Sequence, residues 1–431
     1  MYPSLMKAAR NVKRKVSSLY AEPLRISAVR RVGRIAAKER ICAMTFDDGP
    51  CLIPPSESPG SGPLTLELLR ILQQYQAFGT FDIIGDTSGN YPDRPGRRGT
   101  VSWGGIRYDH YPDIKRDLEG GAVNTDEIIK CILKNSHALA NHGYAHVLFG
   151  RKILVYGRRA FFPDITAVLN DLNRLHNYIK EKYNYEMTLS RPPHYVDVIP
   201  DGFSSYDAYA VMGYTYMAAD FDGAGWLPLS SYKEEVDAMV TPVRKLLEED
   251  PDALCGQIIF HKDGMNMAGR TPVADGLPLQ LEVLRHYGYK VVTVPDLLAV
   301  SPFSDLYNDH PCFPSARTLL DNGMCAAFRD NTVRPESICT TGEFYMMMKG
   351  RQAVLDNVAR LLPPGRGEHP YARAAGLARA SGITKSRLDS PLDSECLDLY
   401  CKEHFGAGSG LSGGTLPRGE VINAIAQLLS K

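Results

Sequence analysis

The stretch Thr45-Phe46-Asp47-Asp48-Gly49-Pro50 sets two carboxylates side by side after an apolar run, Ile41-Cys42-Ala43-Met44. Adjacent acids repel unless a cation or a proton separates them. Along a strand neighbouring side chains point to opposite faces. At a strand end, where the backbone turns, both can reach one site. Asp-Gly-Pro is also ordinary turn chemistry, so the pair alone leaves turn and metal site open. His142-Gly143-Tyr144-Ala145-His146 adds two imidazoles. Histidines at i and i+4 share one face of a helical turn. Two imidazoles and one carboxylate make three zinc ligands and leave a position for water. Chance HxxxH pairs are common; an Asp-Asp at another strand end makes this one informative.

Three further clusters follow. In Arg191-Pro192-Pro193-His194 the two prolines stiffen a turn and fix where the arginine points; an ordinary turn is the plain alternative. Asp220-Phe221-Asp222-Gly223 follows an apolar strand, and an Asp there could hold a guanidinium by a two-pronged pair. Gln257-Ile258-Ile259-Phe260-His261 puts a histidine at the end of a strongly apolar strand. By itself such a histidine is more often structural than catalytic.

The elements that must position these residues alternate. Short apolar runs at 41–45, 79–84, 137–141, 215–219, 257–260 and 290–294 read as strands. Helical periodicity occupies 65–75, 125–135, 165–183 and 231–249. Strands alternating with helices predict a parallel sheet or barrel. In parallel barrels functional residues gather at the C-terminal ends of strands. Asp47, Asp48, the His142 pair, Asp220 and His261 each fall just after a candidate strand. Two segments read as insertions: 51–63, rich in Pro, Ser and Gly, and 86–123, with Trp103, Tyr108, His110 and Tyr111. Loops of that length are functional or disordered as a rule, and the aromatics favour a loop lining the cleft.

Composition narrows the class. The 431 residues carry 49 basic and 49 acidic side chains, so charge does not point to nucleic acid. No apolar run is long enough to span a membrane. The nine cysteines form no CxxC pair and fit free thiols in a reducing compartment. Residues 1–40 are strongly basic, with Lys7, Arg10, Lys13, Arg14, Lys15, Arg25, Arg30, Arg31, Arg34, Lys38 and Arg40 against Glu22 and Glu39. Leu5, Ala8, Ala9, Val12, Val16 and Leu19 recur at helical spacing. The expectation is a basic helical arm packed on the next domain, with an anionic membrane surface as the other reading. An apolar signal core is missing from it, so the expected location is cytoplasmic, peripheral to the membrane at most, with the cell envelope as the alternative.

Taken together, the five clusters resemble the polysaccharide deacetylases of carbohydrate esterase family four, which share the chitooligosaccharide deacetylase homology domain. The resemblance runs from about 41 to 300, with the motifs in the family's order. It implies a distorted (β/α) barrel of about seven units, a divalent metal, most simply Zn2+, and hydrolysis of acetyl groups from an N-acetylated carbohydrate. By resemblance Asp47 is the catalytic base, and Asp48, His142 and His146 hold the metal. Arg191 orients the base, Asp220 pairs with Arg191, and His261 is the catalytic acid. Gly143 replaces a usual Ser or Thr. His194 stands where Tyr or Phe is usual and would offer its backbone N–H to the oxyanion. Tyr195 and Trp226 are the implied substrate contacts, Trp226 at a shifted spacing. A small-molecule or lipid-linked amide is the alternative substrate, and a catalytically idle wall-binding protein the third reading.

From 301 to 431 the pattern changes to a small, mostly helical domain. A segment from Phe303 to Phe344 has a degenerate second copy from His369 to Val421, each ending in a helix start with an early Glu. The copies resemble S-layer homology modules, of which only the second keeps the arginine, as Arg418. The resemblance implies an anionic cell-wall polymer as partner; a structural lid or oligomerisation module is the other reading.

Overall fold

The structure, a computed structural model, describes residues 25–86, 102–103, 106–107, 120–151, 160–266, 268–365, 368–376 and 385–430. The first half of the basic arm and most of the 86–123 insertion, with Tyr108, His110 and Tyr111, lie outside these.

In chain order the strands are β1 (Arg31–Val32), β2 (Ile41–Asp47), β3 (Gly79–Ile83), a small hairpin β4 (Ser102–Trp103) and β5 (Ile106–Arg107), β6 (Ala138–Asn141), β7 (Leu189–Ser190), β8 (Thr215–Met217), β9 (Phe221–Asp222), β10 (Ile258–Lys262) and β11 (Lys290–Val292). The barrel helices are α1 (Leu64–Gln74), α2 (Asp126–Lys134), α3 (Ile165–Tyr183), α4 (Ser205–Met212), α5 (Tyr232–Glu249), α6 (Val273–His286) and α7 (Val294–Val300). Nine strands form one curled sheet in the order β1-β8-β7-β6-β3-β2-β10-β9, with β11 also on β2. All its pairings are parallel. The expected parallel barrel is therefore present, incompletely closed between β1 and β9.

Strand pleating sorts the side chains into two layers. Met44, Phe46, Phe81, Ile83, Leu139 and Ile259 point outward, where Leu68, Leu72, Ile129, Leu172 and Leu277 of the helices cover them. Ala43, Ala140, Leu189, Met217 and Ile258 point inward and meet Val32, Ile35, Val294 and Leu297. Helix α3 shows how the cover is built. Ile165, Val168, Leu172, Leu175 and Ile179 repeat every three or four residues and are all buried. The Asp164 side chain caps its start by accepting from Ala167 N–H. Asn184, left-handed at φ 51°, ends it. Each of those apolar side chains stabilises the fold by about 1.5–3 kcal/mol.

The described part of the basic segment, 25–40, is not helical; residues 5–19, whose spacing suggests the helix, lie outside the described residues. From residue 25 to 40 it is extended and contributes β1, paired to β8. Its apolar residues enter two cores: Val32 and Ile35 the barrel interior, Ile26 the C-terminal domain. Its backbone bonds both ways, Ile35 N–H to Gly256 and Arg31 N–H to Arg329. Several of its cations are also occupied: Arg40 meets Asp252 at 2.8 Å, Lys38 meets Asp309, and Arg30 donates to Asn331 Oδ1 at 2.8 Å. A solvated basic face on a helix is thus absent among residues 25–40.

The C-terminal region adds α8 (Phe313–Asp321), α9 (Thr341–Ala359), α10 (Lys385–Leu388), α11 (Ser394–Phe405) and α12 (Arg418–Leu429). They enclose their own core of Phe303, Leu319, Phe344, Met347, Leu397 and Ile422. Thr340 and Glu343 form a capping box at the start of α9. The starts of α9 and α12 lie together: Ile338 bridges Pro417, and the buried Arg418 pairs with Glu343 at 2.6 Å.

Candidate metal and catalytic site

The site lies at the C-terminal ends of β2, β3, β6 and β10. Register fixes which side chains share its face. Asp47 of β2 is level with Asp82 of β3 and with Lys262 of β10. In a parallel sheet, level residues point the same way, so two acids and one ammonium rise from three adjacent strands. Asp48 follows β2 at φ 78°. That left-handed turn swings it back toward the face Asp47 occupies, so the two carboxylates share a cleft.

His142 and His146 converge on Asp48. Their Nε2 atoms lie 3.2 and 3.0 Å from its Oδ1. One ligand atom from each of the three lies within 4.8 Å of the others, close enough to hold a metal ion between them. The pair does not ride a helical turn, as its spacing suggests. Residues 142–147 form a loop after β6, folded back by Gly143 at φ 85° and His146 at φ 52°. Asp171 of α3 holds that loop, accepting from Tyr144 N–H at 2.7 Å and Ala145 N–H at 3.1 Å. His142 Nδ1 is 2.8 Å from the Arg191 carbonyl; in the tautomer that donates its proton there, Nε2 is the nitrogen available to a metal. Two imidazole nitrogens and one carboxylate oxygen suit a divalent ion with an open position.

Arg191 is fully buried, and each of its nitrogens is used. NH1 donates to Asp47 Oδ1 at 2.5 Å and to Thr45 Oγ1 at 3.1 Å. Nε and NH2 donate to the carbonyls of Met217 and Ala218. Those carbonyls take the place expected for Asp220. Asp220 instead faces Arg31 of β1 at 3.5 Å and is well exposed. The expected Asp220–Arg191 pair is therefore not formed; the end of β8 fixes the guanidinium through its backbone.

His261 also differs from expectation. The last inner strand runs to Lys262, two residues beyond the expected end, so the pleat still governs His261. His261 is level with Phe46 and stacks on its ring, centroids 5.4 Å apart. Its Nε2 is 2.6 Å from Gln280 Oε1 of α6. The side chain is wholly buried beneath the helices, on the sheet face away from Asp47. Burial lowers its pKa to about 4, with Gln280 opposing. The cleft position on β10 belongs to Lys262, whose Nζ bonds Asp48 Oδ2.

Two residues of this site, Asp82 and Lys262, were not singled out in the sequence. Each is a charged side chain in an otherwise apolar strand, at the inward phase set by Asp47. Asp82 is completely buried, with Oδ2 2.9 Å from His142 Nδ1, though that nitrogen is aligned on the Arg191 carbonyl instead. Burial raises the Asp47 carboxyl to about 6; Arg191 opposes this and Asp82 adds to it. Asp48 is also penalised by burial, yet Lys262, His146 and His142 hold it well below the usual carboxylate range. Behind the site, Asp263 N–H donates to the Asp47 carbonyl at 2.7 Å. Its carboxylate takes a bond from Thr65 at 2.8 Å, tying the ends of β2 and β10 to the start of α1.

Of the remaining expected contacts, His194 and Tyr195 border the site. His194 and Tyr195 sit in left-handed backbone at φ 55° and 54°. The His194 ring lies 5.1 Å from His146. Tyr195 is 37 % exposed, its ring 5.5 Å from the Arg191 guanidinium. Trp226 donates from Nε1 to Asp222 at 3.0 Å.

No curated protein matches the chain. Among solved structures it is similar to a chitin deacetylase from the fungal pathogen Colletotrichum lindemuthianum, at 17% identity and TM-score 0.41, covering 64% of this chain and 92% of that one. It is similar to the peptidoglycan deacetylase PdaC from Bacillus subtilis at 20% identity and TM-score 0.39, covering 62% and 94%. It is similar to BA3943, a CE4 family pseudoenzyme from Bacillus anthracis, at 13% identity and TM-score 0.40, covering 62% and 68%. Residues 34–197, which carry Asp47, Asp48, His142, His146 and Arg191, match the family model described as polysaccharide deacetylase.

Proposed function

We propose that this chain is a metal-dependent hydrolase that removes acetyl groups from an N-acetylated amino sugar or glycan. One observation carries the reading: His142 and His146 meet at Asp48 Oδ1, beside a second carboxylate held by a buried arginine. Asp48, His142 and His146 would hold the ion, Zn2+ suiting two imidazoles and one carboxylate. When bound, such an ion lowers the pKa of a water toward about 7 and polarises an acyl carbonyl. The residues of this chain do the rest. Asp47 would take the proton of the attacking water at the oxygen that Arg191 leaves open and return it to the amine nitrogen as the C–N bond breaks. Arg191 keeps that carboxylate charged and fixed. The turn at His194 and Tyr195 borders the acyl group, where the His194 backbone N–H would meet the oxyanion. Tyr195 and Trp226 offer aromatic faces to a sugar ring.

Lys262 on Asp48 is the observation that favours a second reading, a catalytically idle member. Acetate release from N-acetylated oligosaccharides, with and without added Zn2+, separates the two. Metal-stimulated acetate with a free amine as co-product supports hydrolysis; no acyl release from any amide, formyl and small acetyl amides included, supports the idle protein. Polymer binding by the C-terminal repeats rests on their sequence pattern, and pull-down on purified cell wall tests it.

A further inference from the structure

Lys262 stands where the deacetylase reading calls for a neutral or weakly acidic cleft group, and it is bonded to a metal ligand. Its side chain is 15% exposed and that of Asp48 12%. Water therefore screens little of the charge between them. Asp48 offers two oxygens. Oδ1 faces both histidines, while Oδ2 is taken by Nζ. A cation held by Oδ1 and the two Nε2 atoms would have to share the one carboxylate with the ammonium. Level with Lys262 stands Asp47, bonded to Arg191, and beyond that Asp82.

We propose that Lys262 is a built-in competitor for the metal: its ammonium neutralises Asp48 before a cation binds, keeps the affinity for divalent ions low, and confines Asp48 to one coordinating oxygen. The inference rests on the ligand set proposed above, not on turnover. The metal must enter against a fixed positive charge, so loading follows the free concentration of the ion rather than being permanent. A Lys262 that merely buttressed Asp48 would have the opposite consequence, because removing a support that orients a ligand weakens binding. The sign of the change separates the two.

Calorimetric titration of the full-length, metal-stripped protein with Zn2+ reads that sign, with Co2+ spectra reporting coordination number. Lys262→Met, which keeps the stem volume and removes the charge, is expected to bind one Zn2+ about tenfold or more tightly than wild type. Lys262→Arg keeps the charge and is expected to stay within about threefold of wild type. Lys262→Gln serves if the methionine variant misfolds. Equal or weaker binding by the neutral variants overturns the competitor role and leaves the ligand set standing. Failure of wild type and both neutral variants to bind at millimolar Zn2+ overturns the ligand set and this inference together.

Discussion

Asp47 and Lys262 are register partners on adjacent parallel strands, and that pairing decides which residue of β10 reaches the cleft. His261, one residue earlier, is level with Phe46 and buried against Gln280. A pleat cannot present both. A general acid contributes about 10²–10⁴-fold to a hydrolysis of this kind, so its position is testable. His261→Gln is expected to keep metal-stimulated acetate release within about threefold of wild type, measured per folded chain. A hundredfold loss without unfolding would return His261 to the chemistry.

Asp47 has the opposite standing. It is buried, bonded to Arg191, and adjacent to the ligand set without belonging to the Asp48, His142 and His146 group. Asp47→Asn keeps the shape and removes the base. Turnover should fall by about 10³-fold or more, while Zn2+ stoichiometry stays at one per chain. Asp48→Ala should lose both. Elemental analysis beside acetate release separates the pair.

Acid should weaken the outer layer. His261 is fully buried and its folded pKa is lowered to about 4; His137 is likewise lowered to about 4. An unfolded histidine titrates near 6.5. Between those values the unfolded chain binds protons the folded chain refuses, so stability is full above about pH 6.5 and declines toward pH 4. From pH 7 to pH 5, His261 alone should account for about 2 kcal/mol of lost stability. Urea midpoints of wild type and His261→Gln at the two pH values check this. The variant should lose less on acidification.

The parallel barrel and the convergence of His142 and His146 on Asp48 could be read from the chain because both rest on local patterns. Apolar runs alternating with helical ones specify a parallel sheet, and residues just past strand ends gather on one rim. What could not be read was phase and reach. Ending the last inner strand at Phe260 instead of Lys262 left His261 free to turn inward, and hid the lysine. Asp220 is placed by its motif, but its partner depends on where β1 lands, and β1 is a two-residue strand in a basic segment with no strand pattern of its own. Asp82 sits in a strand of otherwise buried residues, and nothing in its own neighbourhood says that Asp47 will stand beside it. Gly143 and His146 bring the histidines together by left-handed turns where the i, i+4 spacing suggests a helix.

The arginine and the acid of the third and fourth motifs should behave very differently. Arg191 is wholly buried and bonded to Asp47, Thr45 and two carbonyls. Arg191→Met would strand the Asp47 carboxylate beside Asp82 in a dry interior. Breaking a buried pair this way costs about 3–5 kcal/mol. Asp220→Asn touches only a half-exposed contact to Arg31 at 3.5 Å. Pairs of that kind contribute about 0–1 kcal/mol, so thermal unfolding should hardly move. A large loss in Asp220→Asn would mean that Asp220 reaches Arg191 after all.

Gly143 is the position where this chain lacks the hydroxyl residue usual in the motif, and its geometry explains the exchange. Its φ is 85°, and a Cβ there would lie 2.9 Å from Asp171 Oδ2. That carboxylate is the anchor of the histidine loop, through Tyr144 and Ala145. Gly143→Ser therefore combines left-handed strain, about 1–2 kcal/mol for a residue with a Cβ, with pressure on the anchor. Stability should fall by about that amount, and Zn2+ should bind more weakly because His142 and His146 lose their fixed spacing. If calorimetry gave wild-type affinity for Gly143→Ser, the Asp171 anchor would not be what holds the two imidazoles on Asp48.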